Sequence, residues 1–139
     1  MKTSLAFLAR KSALSLCVST LMLGASAALA EAPVKVAEGI LTGPNGMTLY
    51  TFDKDVAGSS KSMCNGPCAA NWPPLMASAT DQASGEFSVV TRDDGQKQWA
   101  VRGKPLYYWV KDSKPGDKTG DGVNKVWQTA KPAPKMGGY

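Results

Sequence analysis

From residue 36 onward, short apolar runs alternate with polar stretches rich in Gly, Pro, Asn and Asp. Gly39-Ile40-Leu41-Thr42, Leu49-Tyr50-Thr51-Phe52, Phe87-Ser88-Val89-Val90-Thr91, Gln98-Trp99-Ala100-Val101 and Lys125-Val126-Trp127-Gln128-Thr129 carry the β-branched and aromatic residues that suit a strand. Asn45-Gly46 predicts a hairpin that pairs Gly39–Thr42 with Thr48–Phe52. Asp93-Asp94-Gly95 predicts a second one, joining Phe87–Thr91 to Gln98–Val101. Arg102-Gly103-Lys104-Pro105 turns the chain into another strand at Leu106-Tyr107. Only Cys64 to Asn71 reads as a helical turn. Short strands at close spacing with Gly, Pro and Asp turns predict a mainly β, small antiparallel domain built from short hairpins. The segment 131–139, opening with Lys131-Pro132-Ala133-Pro134, is expected to be a flexible tail.

The first thirty residues have a different pattern. Lys2, Arg10 and Lys11 form a basic start, Ser12 to Ala30 carries no charge, and Ala28-Leu29-Ala30 is a small-x-small cleavage site. Residues 1–30 therefore read as a cleaved secretory signal peptide, and no stable membrane span is expected after cleavage. The mature chain, 31–139, loses three basic residues and no acid, so its net charge is +2 rather than +5. No run of Lys or Arg survives that would mark a nucleic-acid surface. The localisation expected is periplasmic or secreted. The mature cysteines are Cys64 and Cys68, and an even pair in an exported chain reads as a disulfide.

The chain also repeats itself. Gly46-Met47-Thr48-Leu49-Tyr50-Thr51-Phe52-Asp53-Lys54-Asp55 aligns without gaps on Gly103-Lys104-Pro105-Leu106-Tyr107-Tyr108-Trp109-Val110-Lys111-Asp112. A polar loop follows each copy, then a Trp, at Trp72 and Trp127. The domain 31–130 thus comprises two related halves, about 36–75 and 87–130, which must pack on each other because two copies are too few for a solenoid. Tyr50 and Phe52 lie two apart on one strand face, as do Tyr107 and Trp109, while Tyr108 points to the opposite face and offers a possible ligand surface.

Tyr50-x-Phe52-x-x-Asp55 and Tyr107-x-Trp109-x-x-Asp112, with Cys64-Asn65-Gly66-Pro67-Cys68 and Trp72-Pro73-Pro74 between them, resemble the bacterial secreted-repeat family, also described as predicted lipoproteins with the Tyr-x-(Phe/Trp/Tyr)-x-x-Asp motif. The resemblance covers about Val36 to Ala130. It implies an exported envelope protein without an established biochemical role. No cysteine stands at the cleavage site, which is a departure from the lipoprotein label.

Candidate chemistry is sparse. There is no His, which removes imidazole bases, Ser-His-Asp and Cys-His units, and His ligation of metal or haem. The Cys64–Cys68 pair is expected to be a staple. Closing a five-residue loop contributes about 2 kcal/mol in the chain-entropy picture. The alternative is a redox pair, since Gly66-Pro67-Cys68 has the Gly-Pro-Cys of thioredoxin-like sites, but three residues rather than two separate the thiols. The four Trp are expected in the core, where a small β domain needs large side chains. Asp55 and Asp112 are expected to accept backbone N–H groups of the loops that follow them. A metal-binding alternative draws on Asp55, Asp112, Asp117 and Asp121. No catalytic set and no cofactor emerge from these residues. The expectation is an exported, non-catalytic binding or interaction module, its partner an envelope protein or a small ligand.

Overall fold

A computed structural model describes residues 31–136. The signal peptide expected at 1–30 lies outside the described residues. Eight short strands, one helix and one 3-10 turn make up the domain: β1 (Lys35–Ala37), β2 (Ile40–Thr42), β3 (Tyr50–Phe52), α1 (Pro67–Asn71), β4 (Met76–Ala77), β5 (Phe87–Thr91), β6 (Lys97–Val101), β7 (Lys104–Pro105), the 3-10 turn Val123–Lys125, and β8 (Trp127–Thr129). All strand pairs are antiparallel. The architecture is the mainly β domain of two halves that the apolar runs predict.

The local hairpins follow turn chemistry. β1 and β2 are joined by Glu38-Gly39, and β6 and β7 by Arg102-Gly103; all four residues have positive φ, between 46° and 79°. A two-residue hairpin loop of this kind matches the twist of its strands, and Gly supplies its second position without strain. β5 and β6 pair in register from Phe87↔Val101 to Thr91↔Lys97 around Asp93-Asp94-Gly95, as expected.

The long-range pairing differs from simple hairpins. The turn at Asn45-Gly46 does form, with Gly43 N–H donating to Met47 O and Leu49 N–H to Leu41 O. Yet the ladder of Ile40–Thr42 is to β1, and that of Tyr50–Phe52 is to β8, from the other repeat. The second repeat shows the counterpart, since Tyr108 N–H donates to Pro73 O and Val110 N–H to Asn71 O. Each repeat therefore gives its Trp-bearing segment to the strand of the other. The Asp-ended loop after each Leu-Tyr segment carries the chain away, and the Trp segment that returns pairs with the partner repeat. Leu106-Tyr107, expected as a strand, carries only isolated bridges, from Tyr107 to Tyr50 and Pro74.

The same exchange builds the inner core. Leu49 N–H donates to Leu41 O, Leu41 N–H to Ala130 O and Ala130 N–H to Leu49 O, closing a three-way ring of bonds. Leu106, Trp99 and Leu75 close an equivalent ring. These six residues and Val101 form one apolar cluster. Tyr50, Phe52, Cys64, Trp72, Tyr107 and Trp127 form the second.

Candidate functional site

The repeated Tyr and Asp residues meet on the axis that relates the two halves. Tyr50 N–H donates to Tyr107 O at 2.8 Å and Tyr107 N–H to Tyr50 O at 3.0 Å, so the two tyrosines are each other's antiparallel partner. Their side chains then cross. The Tyr50 hydroxyl donates to Asp112 Oδ2 and the Tyr107 hydroxyl to Asp55 Oδ2, both at 2.5 Å. The motif therefore does not bond to itself within a repeat: the Tyr of one copy binds the Asp of the other.

Each Asp also ties down its own loop. Asp55 Oδ1 accepts the Met63 N–H at 2.6 Å. Asp112 Oδ1 accepts the Thr119 N–H at 3.0 Å and the Thr119 hydroxyl at 2.6 Å. The expected loop-capping role is the geometry seen, with the Tyr hydroxyl added on the second oxygen. Gly120 follows Thr119 because any Cβ there would lie 2.9 Å from the Tyr50 and Trp72 rings. Its N–H donates to the Tyr50 hydroxyl at 3.2 Å.

Burial sets the electrostatics. Asp55 is 2 % exposed, and loss of solvent raises its pKa above the usual carboxylate value, against the lowering effect of the bond from Tyr107. Tyr50 and Tyr107 are both fully buried, and desolvation together with the carboxylate each one binds pushes both phenols well above their ordinary value. Asp117, in contrast, is held below the usual range by the N–H and hydroxyl of Ser113.

The rings complete the site. Phe52, Trp127, Trp72 and Trp109 form one continuous stack, with centroid separations of 4.3, 3.7 and 4.0 Å and interplanar angles of 18°, 5° and 25°. The halves alternate in it, since Phe52 stacks on the Trp of the second repeat and Trp109 on the Trp of the first. Tyr50 meets Trp72 edge-on at 5.4 Å, and Tyr107 meets Trp127 edge-on at 5.2 Å. The edge-on contacts suit the ring quadrupoles.

A family model described as a secreted repeat of unknown function matches residues 33–76 and 88–131. The chain belongs to this family. No curated protein and no solved structure matches it. The two matched segments are the two halves read from the internal alignment.

Within this secreted repeat the remaining expected residues are dispersed. Cys64 and Cys68 form a disulfide with Cα atoms 5.2 Å apart, packed beside the ring cluster. Tyr108 is half-buried against the Leu cluster, with its ring over Gly43. It lines a small cleft of about 160 Å³ with Met47, Trp109 and Asp112. Asp121 accepts the Thr129 N–H. Among the described residues no three Cys, Asp or Glu side chains converge as a metal-ligand set, and no helix is long and apolar enough to cross a membrane.

Sequence reasoning missed Arg92. It is buried, and its guanidinium donates to Ser62 Oγ, Gln98 Oε1, Cys64 O and Asn65 Oδ1 at 2.7 to 3.2 Å. Ser62 Oγ in turn lies 2.6 Å from the Tyr107 hydroxyl, so Arg92 is linked through it to the Tyr107–Asp55 pair. A buried cation needs such partners to offset its desolvation. Nothing local in Thr91-Arg92-Asp93 signals burial. Ser62 was findable: it lies seven residues after Asp55, as Thr119 does after Asp112.

Proposed function

We propose that this secreted repeat is a non-catalytic interaction module of the cell envelope, periplasmic once residues 1–30 are removed, whose loops after Asp55 and Asp112 carry its partner contacts. The observation that carries the reading is that the repeated Tyr and Asp side chains are spent on each other and on the loop backbones. Groups so engaged with each other are not directed at a substrate, but they hold two loops at fixed positions beside the paired Tyr50 and Tyr107 segments. The first loop presents Val56 and Met63, each more than 60 % exposed, and single apolar side chains on a fixed loop suit protein contacts. The disulfide supports the same reading as a brace of the segment that follows that loop. The metal alternative draws less support, because Asp55, Asp112, Asp117 and Asp121 each accept separate internal bonds.

The test is site-directed photo-crosslinking in cells that export the full chain. The crosslinker is placed at Met63, at Lys118, or at Ser88 on β5 as a control. Adducts to an envelope protein from the loop positions, without one from Ser88, are expected. Adducts from Ser88 alone, or from no position, would overturn the reading.

A further inference from the structure

The ring stack has a polarity that packing alone does not require. At its outer end Trp109 is only partly buried, and Lys111 Nζ stands 5.7 Å from its ring centroid. At its centre Trp72 and Trp127 lie nearly parallel at 3.7 Å and are at most 4 % exposed. Against this central pair stand Tyr50 and Tyr107, each with its hydroxyl proton on a 2.5 Å bond to a carboxylate. A cation beside the outer ring disfavours positive charge there. Carboxylates beyond the inner rings favour it inside.

We propose that Trp109, Trp72, Trp127 and the crossed tyrosines form a one-electron relay that carries an oxidising equivalent from the surface to the buried Tyr–Asp pairs. The substrate class is a small outer-sphere one-electron oxidant able to touch the accessible edge of Trp109. The oxidant takes one electron from Trp109 and is itself reduced, leaving an indole radical cation. Trp109 recovers an electron from Trp72, across rings 4.0 Å apart, and the charge is shared over the Trp72–Trp127 pair. Tyr50 or Tyr107 then gives an electron to that pair while its hydroxyl proton passes to Asp112 or Asp55. The products are a neutral tyrosyl radical, a protonated carboxyl group and restored Trp. A one-electron donor and return of the same proton reset the pair. The transfer needs only a short proton shift along an existing bond, because donor and acceptor are already aligned. Burial, which raises the Asp55 pKa, favours the protonated form of that carboxyl group.

The inference is independent of the loop-contact reading, and a failure of either leaves the other standing. The probe is photogenerated tris(bipyridine)ruthenium(III) with the full mature chain, 31–139, followed by transient absorption. The background chain carries Tyr108→Phe and Tyr139→Phe, so that neither contributes a signal. The expected sequence is a tryptophan radical that decays into a tyrosyl radical, and the second step slows in D₂O. Trp109→Phe retains a ring in the stack, as Phe52 does in the first repeat, but resists oxidation; the tyrosyl signal should be lost. Lys111→Glu, at an exposed position, should lengthen the life of the tryptophan radical by holding charge on Trp109. An unchanged tyrosyl yield in Trp109→Phe, a tyrosyl rate indifferent to D₂O, or no tyrosyl signal in the background chain would each overturn the relay.

Discussion

The crossing of the Tyr–Asp pairs can be measured by double-mutant cycles. Tyr107→Phe removes the hydroxyl that donates to Asp55 Oδ2 and leaves a 2 % exposed carboxylate with the Met63 N–H as its remaining bond. A hydrogen bond to a charged group contributes about 1.5–3 kcal/mol, and a buried acceptor stripped of its donor lies at the upper end. Tyr107→Phe should therefore cost about 2–3 kcal/mol. Tyr50→Phe should cost less, about 1.5–2 kcal/mol, because Asp112 keeps two donors from Thr119. Urea unfolding followed by Trp fluorescence reads both, with the m-value checking that the denatured state is unchanged. The decisive comparison uses Asp55→Asn and Asp112→Asn. The pairs Tyr107 with Asp55 and Tyr50 with Asp112 should show coupling of about 1 kcal/mol or more, whereas Tyr50 with Asp55 and Tyr107 with Asp112, each within one repeat, should couple by less than about 0.5 kcal/mol. Equal coupling in the two sets, or a larger value within a repeat, would refute the crossed arrangement.

Three further outcomes follow from the same geometry. Folding holds the protons of Tyr50 and Tyr107 above their ordinary value, so the stability they contribute is intact below about pH 10 and is lost as pH rises toward the folded values; the loss should be about 1.4 kcal/mol per pH unit for each tyrosine, and Tyr50→Phe/Tyr107→Phe should flatten the alkaline arm of a stability–pH curve. Reduction of Cys64–Cys68, or Cys68→Ser with Cys64→Ser, should lower stability by about 2 kcal/mol without loss of the fold, while titration against glutathione should place the native disulfide below about −300 mV; a potential in the range of catalytic disulfides would favour the redox alternative. A protease site inserted between Ser78 and Gly85, an exposed connection between the halves, should on cleavage yield two fragments that elute together from a sizing column, because every Tyr–Asp pair, the β3–β8 ladder and the ring stack run between them; separation of the fragments would contradict the exchange.

Much of the fold is legible where residues act on their neighbours. Asp93-Asp94-Gly95 and Arg102-Gly103 fix turns whose chemistry depends on a few adjacent residues; the apolar runs flanking the first become β5 and β6, whereas after the second Lys104–Pro105 forms β7 and Leu106-Tyr107, expected as a strand, is held by isolated bridges from Tyr107 to Tyr50 and Pro74. Local pattern says nothing about which of two similar segments a strand will join. Leu49-Tyr50-Thr51-Phe52 is equally compatible with its own hairpin neighbour and with Trp127–Thr129, and nothing local shows that the chain following Asp112 brings Trp127–Thr129 to it. The site was half legible for the same reason. Periodicity and alignment pick out Tyr50, Phe52, Asp55, Tyr107, Trp109 and Asp112. They cannot show that the bonds run from one copy to the other. Arg92 is the limiting case: a charged residue beside a polar turn reads as solvated, and only the convergence of Ser62, Cys64 O, Asn65 and Gln98 makes its burial tolerable.

Arg92 also marks where the two halves stop being equivalent. The Tyr107–Asp55 pair is joined through Ser62 to a buried guanidinium, and Arg92 lowers both pKa values by its charge. On the other side Thr119 occupies the position of Ser62, and its hydroxyl turns to Asp112 instead of bridging to a cation. A duplicated unit needs no such difference to pack. Desolvation raises the Asp55 pKa, and Lys104 and then the Arg92 guanidinium oppose it by favouring the ionised carboxylate, although the hydroxyl–carboxylate distances of the two pairs are the same. Arg92→Met, close in length but uncharged, should thus shift the pH dependence of the Asp55 side while leaving Asp112 unmoved. Carboxyl NMR shifts of the two aspartates read this directly, and equal movement of both would show that the halves remain one electrostatic unit.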